Sequence, residues 1–198
     1  LNLQSVKTAE DISYVVPRNN WTTGTVYSGW DEDVVGQPNL KHYVITDDNQ
    51  VYVCLESGKN VAGVPVNSSV KPSSVDPEPQ RLSDGYVWKY LYTMAIGDST
   101  KYLTSNYFPV KFQGAVDSAS TPLEQDQRSI QDAAIDGQIA GISLINGGTG
   151  YTSAPSVSII GNGTGAQATA YVSSGAVVKV EMKDSAGSTD YFPGQDYD

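Results

Sequence analysis

Hydrophobic and polar positions alternate along several short stretches of this chain with the period of a β-strand. The clearest stretch follows an Asp-Gly turn at residues 84–85 and carries aromatic residues at every second position. They are Tyr86, Trp88, Tyr90 and Tyr92. Because successive side chains of a strand point to opposite faces, the four rings are predicted to share one face, with Val87 and Leu91 on the other. A strand that is apolar on both faces is typical of a layered sheet or of a protein interface.

Other strands are predicted on both sides of this one. Residues 12–16 form a short apolar run that ends at Pro17, and residues 107–112 form a second extended run. Residues 41–46 and 51–56 are separated by a turn rich in Asp and Asn, which predicts a hairpin. The proline-rich stretch from residue 58 to 80 excludes a helix or a central strand and predicts an ordered surface loop.

The strongest helix signal of the chain lies near its middle. Thr121 is suited to cap a helix, Pro122 to occupy its first position, and Glu124 to complete a capping box. Apolar residues continue at helical spacing up to Ala134, and Gly137 follows. The pattern predicts a helix over residues 122–134.

The composition changes at Gly137 and becomes rich in glycine. Residues 137–146 align with residues 175–184, and strands are predicted over residues 156–160 and 166–173. This indicates an internal repeat of β-hairpin units whose second copy is truncated.

These patterns predict a mainly β protein. We expect a β-sandwich-like domain over residues 1–115, a linker with a short helix over residues 116–136, and a glycine-rich β-repeat module over residues 137–198. The abundance of Gly and of small polar residues also favours short strands and turns over helices.

Charge and hydropathy exclude several kinds of partner. The chain has 22 Asp and Glu against 12 Lys and Arg, a net charge of −10. Because nucleic-acid affinity depends on clustered Lys and Arg, no nucleic-acid partner is expected. No stretch has the pattern of a signal peptide or of a membrane span, so no membrane partner is expected either.

Residues suited to catalysis or metal binding are few. His42 is the only histidine and lies in an apolar strand, and Cys54 is the only cysteine, expected to be buried and inert. The acidic run 31–33 fails the calcium-loop pattern, and the Asp and Asn residues at 47–49 fit a hairpin tip. We therefore expect no catalytic residues, no metal and no cofactor.

Three segments carry a resemblance to a known family. They are residues 15–21 (VVPRNNW), 51–56 (VYVCLE) and 84–92 (DGYVWKYLY). In order and spacing they resemble the baseplate wedge proteins called gene product eight in T-even-like contractile-tailed bacteriophages. The resemblance covers roughly residues 10–115. The glycine-rich repeat resembles modules of marine-phage structural proteins and of bacterial surface proteins.

The resemblance implies a structural role without catalysis. It implies a β-sandwich protein that forms a homodimer, contacts other wedge proteins, and belongs to the virion tail baseplate after assembly in the host cytoplasm. The residues proposed for interface contacts or for internal packing are Arg18, Trp21, Tyr86, Trp88, Tyr90 and Tyr92.

Two other functions stay open at this point. In the first, the repeat module binds a carbohydrate or another surface, with Tyr151, Tyr171 and Tyr191 as an exposed stacking platform. In the second, which ranks last, two carboxylates from distant strands form a hydrolase site.

Overall fold

The computed structural model describes residues 12–31 and 40–198. Part of the predicted domain 1–115 therefore lies outside the described residues, as do positions 32 and 33 of the acidic run considered above. Within the described residues the chain is mainly β, with several antiparallel sheets and two short helices, which confirms the predicted fold class. In chain order the elements are β1 (Val15–Pro17), β2 (Tyr43–Ile45), β3 (Gln50–Glu56), β4 (Gln80–Arg81), β5 (Val87–Thr93), α1 (Ile96–Tyr102), β6 (Tyr107–Pro109), α2 (Pro122–Asp132), β7 (Thr169–Ser173) and β8 (Ala176–Glu181).

The central sheet has the strand order β2-β3-β5-β4 and is antiparallel throughout. The predicted hairpin between β2 and β3 is present, and Asn49 adopts a φ of 59° at its turn, a conformation that Asn tolerates well. Residues 58–79 form no strand longer than an isolated bridge, as expected for the proline-rich loop. A separate two-stranded ribbon pairs β1 with β6.

The aromatic strand β5 contains an irregularity that changes the position of Tyr92. Tyr52 lies opposite Tyr90 and Val51 lies opposite Tyr92, so Leu91 is the extra residue of a β-bulge. Since the neighbours Val51 and Tyr52 point to opposite faces, their partners do so as well. The prediction that all four rings share one face is therefore wrong for Tyr92.

Each face of the central sheet has its own hydrophobic cluster. The first, which we call the aromatic cluster, contains Tyr27, Val44, Tyr52, Cys54, Tyr86, Trp88, Tyr90 and Ile130. The second lies against the β1–β6 ribbon and contains Ile45, Val51, Tyr92, Met94 and Phe108. The β5 strand is thus covered on both faces, as its sequence predicts.

Helix α2 is the predicted helix and packs on the central sheet. Thr121 and Glu124 form the expected capping box, and the helix ends at Asp132. Ile130 enters the aromatic cluster, and the side-chain amide of Gln127 donates a hydrogen bond of 3.1 Å to the Tyr90 hydroxyl. Residues 116–134 therefore pack with the sheet, and we call the described residues up to 134 the first body.

The C-terminal module, residues 137–198, differs from the predicted repeat. Its only named strands are β7 and β8, which pair across a turn where Ser174 and Gly175 have φ values of 52° and 78°. Two consecutive residues of positive φ form the tight turn that matches strand twist, so this hairpin spans the predicted boundary between the two copies. The strand expected over residues 156–160 is reduced to a bridge at Ser156, a correction to the prediction.

The last residues of the chain close the module on itself. The Tyr197 amide donates to the Gly137 carbonyl at 3.1 Å, and Thr164 and Gln195 exchange two backbone hydrogen bonds of 2.9 Å. The Tyr197 ring lies against Gly161 and Gly163, where a Cβ atom would approach it to 3.1 and 2.4 Å. The tail, predicted as the point at which the second copy is truncated, therefore packs against the beginning of the module.

Candidate functional site

The three segments that carry the family resemblance meet in the aromatic cluster. Trp21 packs against it from the first segment, Cys54 from the second, and Tyr86 from the third. A hydrogen-bond chain strengthens this meeting, because the Trp21 indole donates to Ser68 at 3.3 Å and the Ser68 hydroxyl donates to Asp84 at 3.1 Å. The segments therefore build one internal scaffold.

The proposed rings of β5 lie in the protein interior. Tyr86 is fully buried, donates from its hydroxyl to the Val66 carbonyl at 2.6 Å and accepts from the Tyr27 amide at 3.2 Å. Trp88 and Tyr90 are 2% and 4% exposed, and Tyr92 donates to the Pro109 carbonyl. Burial raises the pKa of the Tyr86, Tyr90 and Tyr92 hydroxyls. Of the two roles left open for these residues, the geometry corresponds to packing.

Arg18 is half-buried and connects two parts of the first body. Its guanidinium donates to the Thr104 carbonyl and to the Asn20 side chain, both at 2.8 Å, and its backbone amide donates to Asn106. Arg18 thereby fixes the end of β1 to the turn that precedes β6.

Exposed hydrophobic side chains, which together we call the apolar ribbon, occur along the β1–β6 pair and its extensions and at the start of α1. Tyr14 is 88% exposed and Phe112 79% exposed, and the Val110 amide donates to the Tyr14 carbonyl at 2.8 Å. A pocket of about 190 Å³ lies at the same corner and is lined by residues of both strands' extensions. The exposed side chains of the ribbon are Ile12, Tyr14, Val15, Ile96, Tyr107, Val110 and Phe112.

Two exposed rings dominate the apolar ribbon. Tyr14 and Phe112 together expose on the order of 300–400 Å². This is comparable to the largest apolar patch on an ordinary monomer, roughly 300–600 Å², which is often functional. The sequence pattern does not single out these residues as exposed. The sequence shows the alternating apolar residues next to Pro17 and Pro109, but their exposure depends on which distant residues cover them.

A second candidate site lies where the module meets the first body. The Arg81 guanidinium forms an ion pair with Glu56, and both side chains are nearly buried. The other carboxylate oxygen of Glu56 accepts a hydrogen bond of 3.3 Å from the Met182 amide. Burial raises the pKa of Glu56, and the attraction of Arg81 offsets part of this effect.

Three more charged residues, all from the module, surround this ion pair. Glu181 accepts from Lys179 at 2.6 Å and from Lys183 at 2.9 Å. Burial opposes ionisation of Glu181, but the two lysines outweigh it and hold its pKa at about 2. Lys179 also lies 4.4 Å above the Tyr171 ring, and burial raises the Tyr171 pKa to about 12. We call the two acids, the three basic residues and Tyr171 the ionic joint.

An open cleft of about 520 Å³ lies beside the ionic joint, between the first body and the module. The first body contributes Trp30, Glu56 and Lys59, and the module contributes the extended segment 138–143. The sequence does not reveal the joint or the cleft, because the joint brings together four separate segments and the cleft adds residues 29–31 and 138–143.

The predicted tyrosine platform is not assembled as expected. Tyr151 is exposed, but Tyr171 and Tyr191 are half-buried. The Lys179 ammonium lies over the Tyr171 ring and covers that face. The Tyr191 hydroxyl donates to the Ile139 and Ala140 carbonyls at 2.9 and 2.6 Å. The expectation of three exposed rings is therefore corrected to one.

The chemically reactive side chains considered from sequence are buried. Burial lowers the pKa of His42 and raises that of the Cys54 thiol well above its usual range. Over residues 12–31 and 40–198, no group of three or more His, Cys, Asp or Glu side chains is arranged to hold a metal ion. None of the helices in that same part of the chain is long and apolar enough to cross a membrane.

Comparison with known proteins gave no match to a family model, to a curated protein or to a solved structure.

Proposed function

We propose that this chain is a structural subunit of a bacteriophage tail baseplate, of the wedge class, and that its apolar ribbon is an assembly interface. The observation that carries the proposal is the exposure of two large rings, Tyr14 at 88% and Phe112 at 79%, on the extensions of one two-stranded ribbon. Together they expose on the order of 300–400 Å², a large part of the roughly 800 Å² that each partner buries in a standard protein–protein interface.

A second copy of the same chain is the proposed occupant of the ribbon. In a two-stranded ribbon each strand has one unpaired edge, and an isologous dimer can pair such an edge while covering the apolar side chains of both copies. Tyr14 and Phe112 are the expected anchors, because large aromatic side chains contribute most of the binding energy in such interfaces. Neighbouring wedge proteins would then contact the remaining surface.

The scaffold beneath the ribbon fits this role. The three segments that resemble the wedge family form its interior, with Trp21 and Tyr86 in one cluster. The second cluster anchors the ribbon through Val16 and Phe108. A closely packed support holds an interface surface in a fixed shape, which reduces the entropic cost of association.

Light scattering over a concentration series tests the interface. We expect a dimer that the double variant Tyr14→Ser, Phe112→Ser converts to a monomer, because the variant removes the two largest exposed side chains. The matched control is Ile145→Ser with Ile160→Ser, two residues of the module that are 99% and 93% exposed and lie outside the ribbon. A dimer that persists in the ribbon variant, or is lost in the control, contradicts the proposed interface.

Mass spectrometry of purified virions, and of baseplates isolated from them, tests the location. The proposal requires the chain in both preparations from a phage that encodes it. Its absence from isolated baseplates would refute the baseplate role even if the dimer is present.

A further inference from the structure

The contacts between the two halves of the molecule differ in kind from the contacts within each half. Among the described residues, no backbone–backbone hydrogen bond joins the first body to residues 136–198. The hydrophobic clusters are also separate, since the module has its own small cluster of Ala170, Val177 and Val180 with flanking apolar residues. Each half is therefore held together without the other.

The hydrogen bonds that do cross between the halves are concentrated at the ionic joint. The Met182 amide donates to Glu56 at 3.3 Å, and the Lys179 ammonium donates to the Lys59 carbonyl at 3.4 Å. Close approaches at two further points accompany them. A Cβ atom on Gly63 would lie 2.0 Å from the Val178 carbonyl oxygen, and one on Gly141 would lie 3.4 Å from the Leu55 carbonyl oxygen. Next to these contacts the halves separate to form the open cleft.

We infer that the ionic joint is a release point, at which the C-terminal module separates from the first body as a folded unit and widens the cleft. Small, polar contacts between domains of one chain permit relative motion, whereas large apolar contacts prevent it. The covalent connection is suited to this motion. Ala134 and Ile135 are exposed between α2 and the module, and Gly137 has a φ of 62°.

The joint gives this motion two defined states. Arg81 and its counter-ion Glu56 both belong to the first body, so opening does not separate them. When the joint is closed, the Met182 amide of the module lies on the pair, and the buried Arg81 Nε has no hydrogen-bond partner. When it is open, the pair regains water. Removal of one partner leaves the other charge buried and unpaired, and opening returns that charge to water, so a change in either residue should favour the open state.

Small-angle X-ray scattering and limited proteolysis of single variants test the inference. Glu56→Gln and Arg81→Met should increase the radius of gyration. Both should also accelerate cleavage between residues 133 and 137 by about tenfold or more, which corresponds to a tenfold increase in the equilibrium constant for opening. The double variant Glu56→Leu, Arg81→Met, which replaces the pair by apolar groups, should restore the compact form. Lys71→Met, which removes a surface ion pair with Asp47 and Asp48, is the control.

The distribution of tryptophan makes the result interpretable. All three Trp residues belong to the first body, but Trp30 also lines the cleft, so a Trp30→Phe background leaves Trp21 and Trp88 to report the unfolding of that body. Because the ion pair lies within the first body, Glu56→Gln also lowers the fluorescence midpoint, and the inference requires cleavage to accelerate by more than that shift accounts for. It is overturned if the midpoint shift accounts for the whole acceleration, or if both variants stay compact and uncut.

Hydrogen exchange of the wild-type protein provides a test that needs no variant. The Met182 amide, which is bonded only across the joint, should exchange at least about tenfold faster than the Val51 amide in the central sheet, because opening the joint does not require unfolding. Equal protection of the two amides would overturn the inference.

Discussion

The two halves of this molecule are both built from antiparallel strands, but different kinds of residue fill their interiors. The first body encloses large rings, with the Tyr27 ring 5.3 Å from Trp88 in an edge-to-face arrangement and tyrosine hydroxyls bonded to backbone groups. The module encloses Ala170 and two valines, and its backbone approaches itself closely at its glycines. One half therefore gains its stability from buried aromatic area, and the other from backbone pairing and close glycine contacts.

The composition of each interior determines which substitutions that half tolerates. An aromatic interior loses most when a ring is truncated, because a cavity remains. A glycine-lined interior loses most when an atom is added, because no space is available. Truncation in the first body and addition in the module therefore probe the two interiors from opposite directions.

The largest expected effect is in the first body. Trp88→Ala should lower the free energy of unfolding by about 3–5 kcal/mol, since it removes a ring that is 2% exposed. Denaturant unfolding followed by the fluorescence of the two remaining Trp residues measures the loss. Val180→Ala in the module is the matched truncation and should leave that fluorescence transition unchanged. If it shifts the transition as much as Trp88→Ala does, the two interiors are not separate.

The next effect is in the module and has the opposite origin. Gly163→Ala should destabilise the module by about 2 kcal/mol, because its Cβ would lie 2.4 Å from the Tyr197 ring and 2.5 Å from the Gln195 carbonyl oxygen. Hydrogen exchange of the β7 and β8 amides measures the change. The control is Gly187→Ala, which has no heavy atom within 4 Å of the added Cβ. A Gly163→Ala variant with wild-type protection would refute the close contact.

The smallest effect is a loss of stability in acid, which the module should show. Glu181 has a pKa of about 2 in the folded protein against an ordinary value of 4.5, so its stabilisation is present above pH 4.5 and is lost as the pH falls toward 2. We expect a contribution on the order of 1–2 kcal/mol, reduced by solvent near the joint. Glu56 acts in the opposite sense, because a raised pKa favours the folded state as the pH falls.

Amide exchange of the module between pH 5 and pH 2.5 measures this dependence, after correction for the intrinsic exchange rate. Glu181→Gln should be less stable than wild type at neutral pH and should lose the acid-dependent decrease. An unchanged acid dependence in this variant would show that Glu181 is not its origin.

The sequence predicts those features of the fold whose causes are local. The alternation around Trp88 and the capping box at Thr121 each act within a few residues, and both elements are present as expected. The bulge at Leu91 was not predicted, because it depends on the register of a partner strand 40 residues away in sequence. Helix α1 was not predicted either, since it has a glycine in its first turn and no side-chain cap.

The candidate sites were less accessible to prediction, for a physical reason. Whether Phe112 is exposed, or whether Arg81 meets Glu56, depends on contacts between distant segments. In the module, similarity between the two copies predicted pairing within each copy. The Ser174-Gly175 dipeptide, which is a turn signal in its own right, instead placed the hairpin between them.

The contact of Tyr197 with the module glycines also has an evolutionary consequence. Since a Cβ atom on Gly161 or Gly163 would meet the ring, and one on Gly137 would meet the Tyr197 backbone, these positions cannot vary independently. In related sequences a larger residue at position 163 should occur together with a smaller one at position 197. Substitutions of Tyr197 and of its contacting glycines should therefore be coupled, so that changes at several of these positions together are tolerated better than a change at one.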